Sequence, residues 1–287
     1  MMVDDRPSEK MTFVQCSDCA LIYLNPRIPA DQIHAYYPEY YLSYLGPKDW
    51  GKYAWLAQIG AAQELRKRLN RVRKLVKSPA PRVLDLGCGK PEFLLALQQK
   101  WHWQGTGIDF DDSSWQDERY QALDLHIGDP AALDYGAMGK FDLITMWHYL
   151  EHDYAPGKTL EKLTAAAHDK TRLVIEVPNY QSWTRRWQGV YWEGFHTPRH
   201  TGVYTSATLK NMLETHGWVV ERQFSYGSLD PFALWWMGER ERKKLPWNKS
   251  MEDEFPGFML KKIISAPLFA LQGLISLGVQ TVVARTA

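Results

Sequence analysis

In the stretch LDLGCGKPEF, residues 84–93, an apolar run ends at Asp85 and two glycines follow, one residue apart. Gly87 and Gly89 let the backbone approach a ligand where a Cβ would collide. A helix starting near Pro91 would aim its N–H groups at the same place, a site for a carboxylate or phosphate. A dinucleotide fingerprint needs another glycine three residues after Gly89, but that position is Glu92, poorly suited to lie beside a pyrophosphate. A P-loop is excluded as well, because no Gly-Lys-Ser/Thr follows. The chemistry left is recognition of a nucleoside without a polyphosphate. Asp109, closing GTGID, can accept hydrogen bonds from both hydroxyls of a ribose, and Asp129, in IGDP, suits an adenine amino group. Either aspartate alone is equally a helix cap or a turn residue; the combination at successive strand ends is far more specific.

A second group of residues could move protons. His148 and His152 stand in WHYLEHD, and His196 and His200 in FHTPRH with Arg199 between them. Histidine is the natural base near neutral pH. Arg199 can pair with a carboxylate or phosphate of a substrate, or bridge to a protein carboxylate and fix its loop. Trp183, Trp187, Tyr191 and Trp192 lie just upstream and could wall a flat or apolar acceptor, or simply pack.

The elements that must position these residues alternate between strand and helix patterns. RVLDL (82–86), GTGID (105–109), DLHIGD (124–129), FDLITMW (141–147) and RLVIEVP (172–178) read as strands. Helical spacing from Glu92 to Lys100 and from Gly157 to His168 separates members of this series, so a parallel sheet covered by helices is expected. Ser206 can cap a further helix that stops at Gly217, before the strand WVVERQF, and VQTVVAR (279–285) is a last strand. Ligands of such sheets sit at the carboxyl ends of the strands.

Residues 1–78 read as an appendage, with a Cys-x-x-Cys turn at Cys16 and Cys19, the tyrosine-rich loop YYPEYYLSY (36–44) and a helix from about Trp50 to Lys77. That loop could close over a ligand. The basic run in the helix, between Arg66 and Lys77, reads as a solvated face. A net charge of +1 gives no global bias towards nucleic acid or acidic membranes. Three cysteines make no disulfide framework and the polar N-terminus is no signal peptide, so a reducing, cytoplasmic setting is expected.

Ile263 to Ala284 carries no charge and is long enough to span a bilayer, but Pro267, Gln272, Gly273, Gly278 and Gln280 interrupt it. A buried or interfacial helix from Pro267 to Leu277, followed by a core strand, fits better. Residues 256–277 could thereby touch a membrane surface or a lipid-linked substrate.

The series VLDLGCGKPEF, GIDFD, IGDP, FDLITMWHYLEH and LVIEVPN, over residues 82–179, resembles the class I S-adenosylmethionine-dependent methyltransferases. CSDCALIYLNPRI (16–28), YYPEYY and the stretch 192–218 extend the resemblance to a group of small bacterial methyltransferases that begin with a cysteine pair. The resemblance implies an α/β, Rossmann-like seven-stranded sheet with its last strand antiparallel, here as residues 79–287 with a helical insertion at about 228–275. It implies S-adenosylmethionine as cofactor, held by Asp85, Gly87, Cys88, Gly89, Asp109, Phe110, Asp129, Pro130, Trp147 and His148. His152, His196, Arg199 and His200 become the catalytic candidates for methyl transfer to oxygen or carbon of a small molecule. A nucleic acid substrate is not expected, since a target motif such as Asn-Pro-Pro-Tyr is absent.

Two departures from the family pattern stand out. Pro91 replaces the small residue that closes the family's glycine loop, which a first helical turn tolerates at the loss of one N–H donor. Some members of the group carry a four-cysteine zinc ribbon, whereas Cys16 and Cys19 cannot fill a tetrahedral site, so a plain turn and no metal are expected. An alternative reading is a non-catalytic protein that binds S-adenosylmethionine or a nucleoside.

Overall fold

The computed structural model of the chain describes residues 11–37, 46–244 and 251–287, so most of the tyrosine-rich loop lies outside the described residues. The chain forms two compact units, both discontinuous in sequence. One comprises residues 65–177, 206–224 and 281–287, and the other residues 1–64, 178–205 and 225–280. The units divide at 64/65, inside a helix, and the segment following the fifth parallel strand groups with the N-terminal residues.

The first of these units holds the seven-stranded sheet. Its strands are β3 (Arg82–Leu86), β4 (Gln104–Asp109), β5 (Asp124–Ile127), β6 (Phe141–Trp147), β7 (Ala167–Pro178), β9 (Trp218–Phe224) and β10 (Val279–Thr286), in the spatial order β5-β4-β3-β6-β7-β10-β9. β3 pairs in parallel with β4 and β6, and the parallel run continues to β5 and β7. β10 is antiparallel to β9, as expected for the last strand. Helix α2 (Glu92–Trp101) makes the crossover from β3 to β4 that parallel pairing requires. Its Phe93, Leu94 and Leu97 bury against Val83, Leu143, Val174 and Val283 of the sheet. Each such side chain contributes about 1.5–3 kcal/mol through burial. Beyond β6, α3 (Pro156–Leu163) is tied to β9 by the indole of Trp218, which donates to Leu160 O at 2.9 Å. Helix α1 (Ala54–Arg73) enters this unit through Leu69 and Val72, and α5 (Ser206–Thr215) begins at Ser206 itself and ends shortly before Gly217.

The other unit contains a three-stranded antiparallel sheet of β1 (Thr12–Gln15), β2 (Ile22–Asn25) and β8 (Gly202–Val203). Cys16 and Cys19 belong to the turn between β1 and β2, closed by Ala20 N–H donating to Cys16 O at 3.1 Å. Ile22, Trp192 and Val203 pack with Phe13, Tyr180 and Phe195. The unit also holds α4 (Trp183–Gln188), α6 (Pro231–Arg242) and α7 (Met251–Phe269). The helix expected over Pro267–Leu277 is corrected by α7, which ends at Phe269 and runs through Pro256 and Pro267. Packing outweighs proline's local cost here: Phe255 and Phe258 bring their rings against Trp50, and Phe258 and Phe269 theirs against Phe232.

Candidate functional site

At the carboxyl ends of the parallel strands, the glycine loop folds back on its own unit. Gly87 and Cys88 both donate their N–H groups to Ile108 O, at 2.8 and 3.1 Å. Gly89 N–H donates to Asp109 Oδ2 at 2.7 Å, and Glu92 N–H to Lys90 O at 2.8 Å. Gly87, Cys88, Gly89 and Glu92 thus spend their N–H donors inside the protein, and of these Glu92 stands at the start of the helix. Glu92 reinforces the point by placing a carboxylate at the start of α2, where it accepts from Arg119 at 2.9 Å and from the Tyr120 hydroxyl at 2.6 Å. A polyphosphate finds no cradle in these groups, as the position of Glu92 suggests.

A hydroxyl-bearing ligand is a better match. Asp109 is 8% exposed, and its Oδ1 accepts from Phe110 N–H at 2.8 Å and from Asp111 N–H at 3.4 Å. With a single backbone donor, Oδ2 retains an acceptor position for a hydroxyl. Burial raises the Asp109 pKa, while the loop N–H bonds oppose the shift. Gly89 takes φ +47° and a Cβ there would meet nothing within 4 Å, so the loop leaves room on that side. Gly87 is different: at φ +67° its Cβ would stand 2.5 Å from the Tyr149 ring. Trp147, 5% exposed at the end of β6, has an indole N–H with no acceptor among the described residues. Gly128 N–H donates to Asp109 O at 2.9 Å, which sets the IGDP segment beside Asp109. There Asp129 accepts from Ala131 N–H at 2.9 Å and Pro130 is buried, whereas Phe110 is 37% exposed.

Partners of these residues escaped the sequence reading. Asp85 is 3% exposed and accepts from Thr145 Oγ1 of β6 at 2.5 Å. Burial pushes its carboxyl up to about 7, partly offset by the Thr145 bond and the nearby Arg68 charge. Trp115 donates its indole N–H to Gly89 O at 2.8 Å and so braces the loop from β4's side. Cys88 is buried, and burial pushes its thiol up, out of the reactive range. His148 has φ +57° and sits between two carboxylates, with Nδ1 3.4 Å from Glu151 and Nε2 3.2 Å from Glu176. Burial opposes its charge, but the two buried glutamates outweigh burial and lift its pKa to about 10. That balance favours the charged form of the His148 ring. Glu176 and Thr145 were visible as polar residues inside apolar strand runs; Trp115 gave no such signal.

His152 lies in the same unit, its N–H donating to Tyr149 O at 2.8 Å. His196, Arg199 and His200 lie together in the other unit. Arg199 is 1% exposed, with its guanidinium 5.5 Å from the Tyr37 ring centroid. His196 Nδ1 is 2.8 Å from Glu193 Oε1, and the rings of His196 and His200 are 5.1 Å apart. Burial, with the Arg199 cation beside it, holds His196 well below its usual pKa. Glu193 is raised by burial. His200 Nδ1 donates to Gly194 O at 2.8 Å, which leaves Nε2 as the nitrogen able to accept a proton in the neutral ring. Trp192 is buried in the ring cluster with Tyr180 and Phe195, while Trp183, Trp187 and Tyr191 are exposed.

Residues 57–223 match a family profile described as a methyltransferase domain. No curated protein matches the chain in sequence. Among solved structures, a putative sarcosine dimethylglycine methyltransferase from Galdieria sulphuraria is 13% identical, with TM-score 0.51, over 81% of this chain and 87% of that one. Coclaurine N-methyltransferase, solved with N-methylheliamine and SAH, is 13% identical with TM-score 0.51, over 80% of this chain and 72% of that one. The cyclase SpnF is 15% identical with TM-score 0.50, over 77% and 81%. At these identities the likeness is one of fold.

Proposed function

Because the chain belongs to the methyltransferase-domain family, we propose that it is an S-adenosylmethionine-dependent enzyme that methylates oxygen or carbon of a small molecule. The observation that carries this reading is the clasp between Asp109 and Gly89 at the ends of β4 and β3, which suits a ribose and offers no polyphosphate cradle. Asp109 would take the ribose hydroxyls, Gly89 would admit the ligand to the backbone, and Phe110, Asp129 and Pro130 would border the base. Bound there, S-adenosylmethionine supplies an electrophilic methyl group.

The chain's own residues have two tasks, to hold the acceptor and to take its proton. Positioning supplies much of the acceleration, and a general base adds about 10²–10⁴-fold. His152, His196 and His200 are the candidates for the base. Arg199 would orient an anionic group of the acceptor or hold the HTPRH loop in place. The many rings of the chain favour an apolar, aromatic, or lipid- or carrier-linked acceptor, a sugar on a carrier included, handled in the cytoplasm.

Calorimetry with S-adenosylmethionine, its demethylated product and NAD tests the cofactor. Binding of the first two is expected, and NAD binding without them would sink the proposal. Asp109→Ala should weaken S-adenosylmethionine binding by about 10–100-fold, the worth of hydrogen bonds to a charged group. Retained affinity would show that Asp109 is not the ribose ligand. Replacing His152, His196 or His200 one at a time, with cofactor binding intact, should lower turnover only for the base. Cofactor binding without turnover on any acceptor would favour a non-catalytic nucleoside-binding protein.

A further inference from the structure

The unit built from residues 1–64, 178–205 and 225–280 exposes an apolar face that its own packing does not explain. One side of α7 is accounted for, since Phe258 and Phe269 meet Phe232 and Lys262 Nζ donates to Asp230 at 2.5 Å. The other side presents Leu260, Ile263 and Ile264, 60–70% exposed, followed beyond the helix by Leu274 at 84%. An amphipathic helix of a water-soluble surface would put polar residues there. The face continues onto α4. Trp183 N–H donates to Ser276 O at 2.8 Å and Thr184 Oγ1 to Leu277 O at 3.1 Å, so the exposed indoles of Trp183 and Trp187 flank the Leu274 turn. An apolar patch of this continuity marks an interaction site.

Charge says what covers it. The exposed Arg186 and Lys261 lie on the two helices of the patch. Neither residues 180–192 nor residues 256–278 contain an acidic side chain. Aliphatic side chains at the centre, indoles beside them and, in these two stretches, cations without acids are the composition that an anionic bilayer surface takes up, while the acidic Glu252, Asp253 and Glu254 stand at the opposite end of α7 from the Leu274 turn. None of the helices among the described residues is long and apolar enough to cross a membrane, so attachment would lie in the interfacial plane. We propose that this face, formed by α4, the outer side of α7 and the Leu274 turn, docks the protein on anionic lipid membranes. This proposal does not depend on the methyl-transfer reading.

Sedimentation of the full chain with vesicles tests it, using phosphatidylcholine alone and phosphatidylcholine mixed with phosphatidylserine. The expected result is binding that is about tenfold stronger to the mixed vesicles, weakens with salt, and drops for Lys261→Glu with Arg186→Glu. Ile263→Asp with Leu274→Asp should abolish binding, while circular dichroism and thermal unfolding remain those of the parent chain. No binding to either vesicle, or binding unchanged in these variants, would overturn the proposal. So would light scattering that shows a dimer of the parent chain dissolved by Ile263→Asp with Leu274→Asp, because a second copy would then be the cover.

Discussion

Asp85 and His148 show how neighbours decide the state of a titratable side chain. Asp85 closes the apolar run before the glycine loop, and its environment is a buried hydroxyl from another strand. Its carboxyl is raised to about 7, so the folded chain holds the proton more tightly than the unfolded one, whose value is near 3.8. The resulting stabilisation is fully present below about 4 and is lost as pH rises through 7. Asp85→Asn keeps the acceptor for Thr145 and removes the titration. Its stability relative to the parent chain should therefore grow by roughly 1.4 kcal/mol per pH unit between about 4 and 7, as read by urea unfolding at several pH values. A pH-independent difference would show that Asp85 is not raised. His148 illustrates the opposite balance, since Glu151 and Glu176 keep it charged despite burial. The WHYLEHD segment exposes the histidine to a sequence reader, but Glu176 arrives from β7 and only folding brings it there.

At the scale of the element, the strand-loop-helix from Arg82 to Trp101 carries most of the argument for a ligand. The loop reverses direction within a few residues, and its left-handed positions at Gly87 and Gly89 are strained for any side chain. The two differ in what a methyl group would meet. Gly89→Ala should cost about 1–2 kcal/mol from the backbone alone. Gly87→Ala adds a collision with the Tyr149 ring and should be the more damaging, in thermal unfolding and in cofactor affinity alike. Equal losses in the two variants would contradict this assignment. Element identities were largely legible from periodicity: β3, β6 and β9 coincide with the runs RVLDL, FDLITMW and WVVERQF. The sequence places a helix over Pro267–Leu277, whereas α7 ends at Phe269, because the rings that hold this longer helix lie on other elements.

The whole molecule is organised against its sequence order. β10 comes last in the chain yet stands between β7 and β9, with Val282, Val283 and Ala284 almost wholly buried. Removing residues 279–287 should therefore expose two strand edges and abolish cooperative unfolding, as followed by circular dichroism, rather than trim a dispensable tail. A truncated chain with a parent-like transition would refute that role. By itself, the sequence determined the strand runs of a parallel α/β sheet and the glycine turn after β3, because alternation, glycine and capping residues act through local backbone physics. Tertiary structure alone decided that the loop donors turn inward to Ile108 and Asp109, that His148 lies between Glu151 and Glu176, and that residues from three separated segments make each compact unit. Those outcomes depend on contacts between residues distant along the chain, whose energies appear only once burial removes water from both partners.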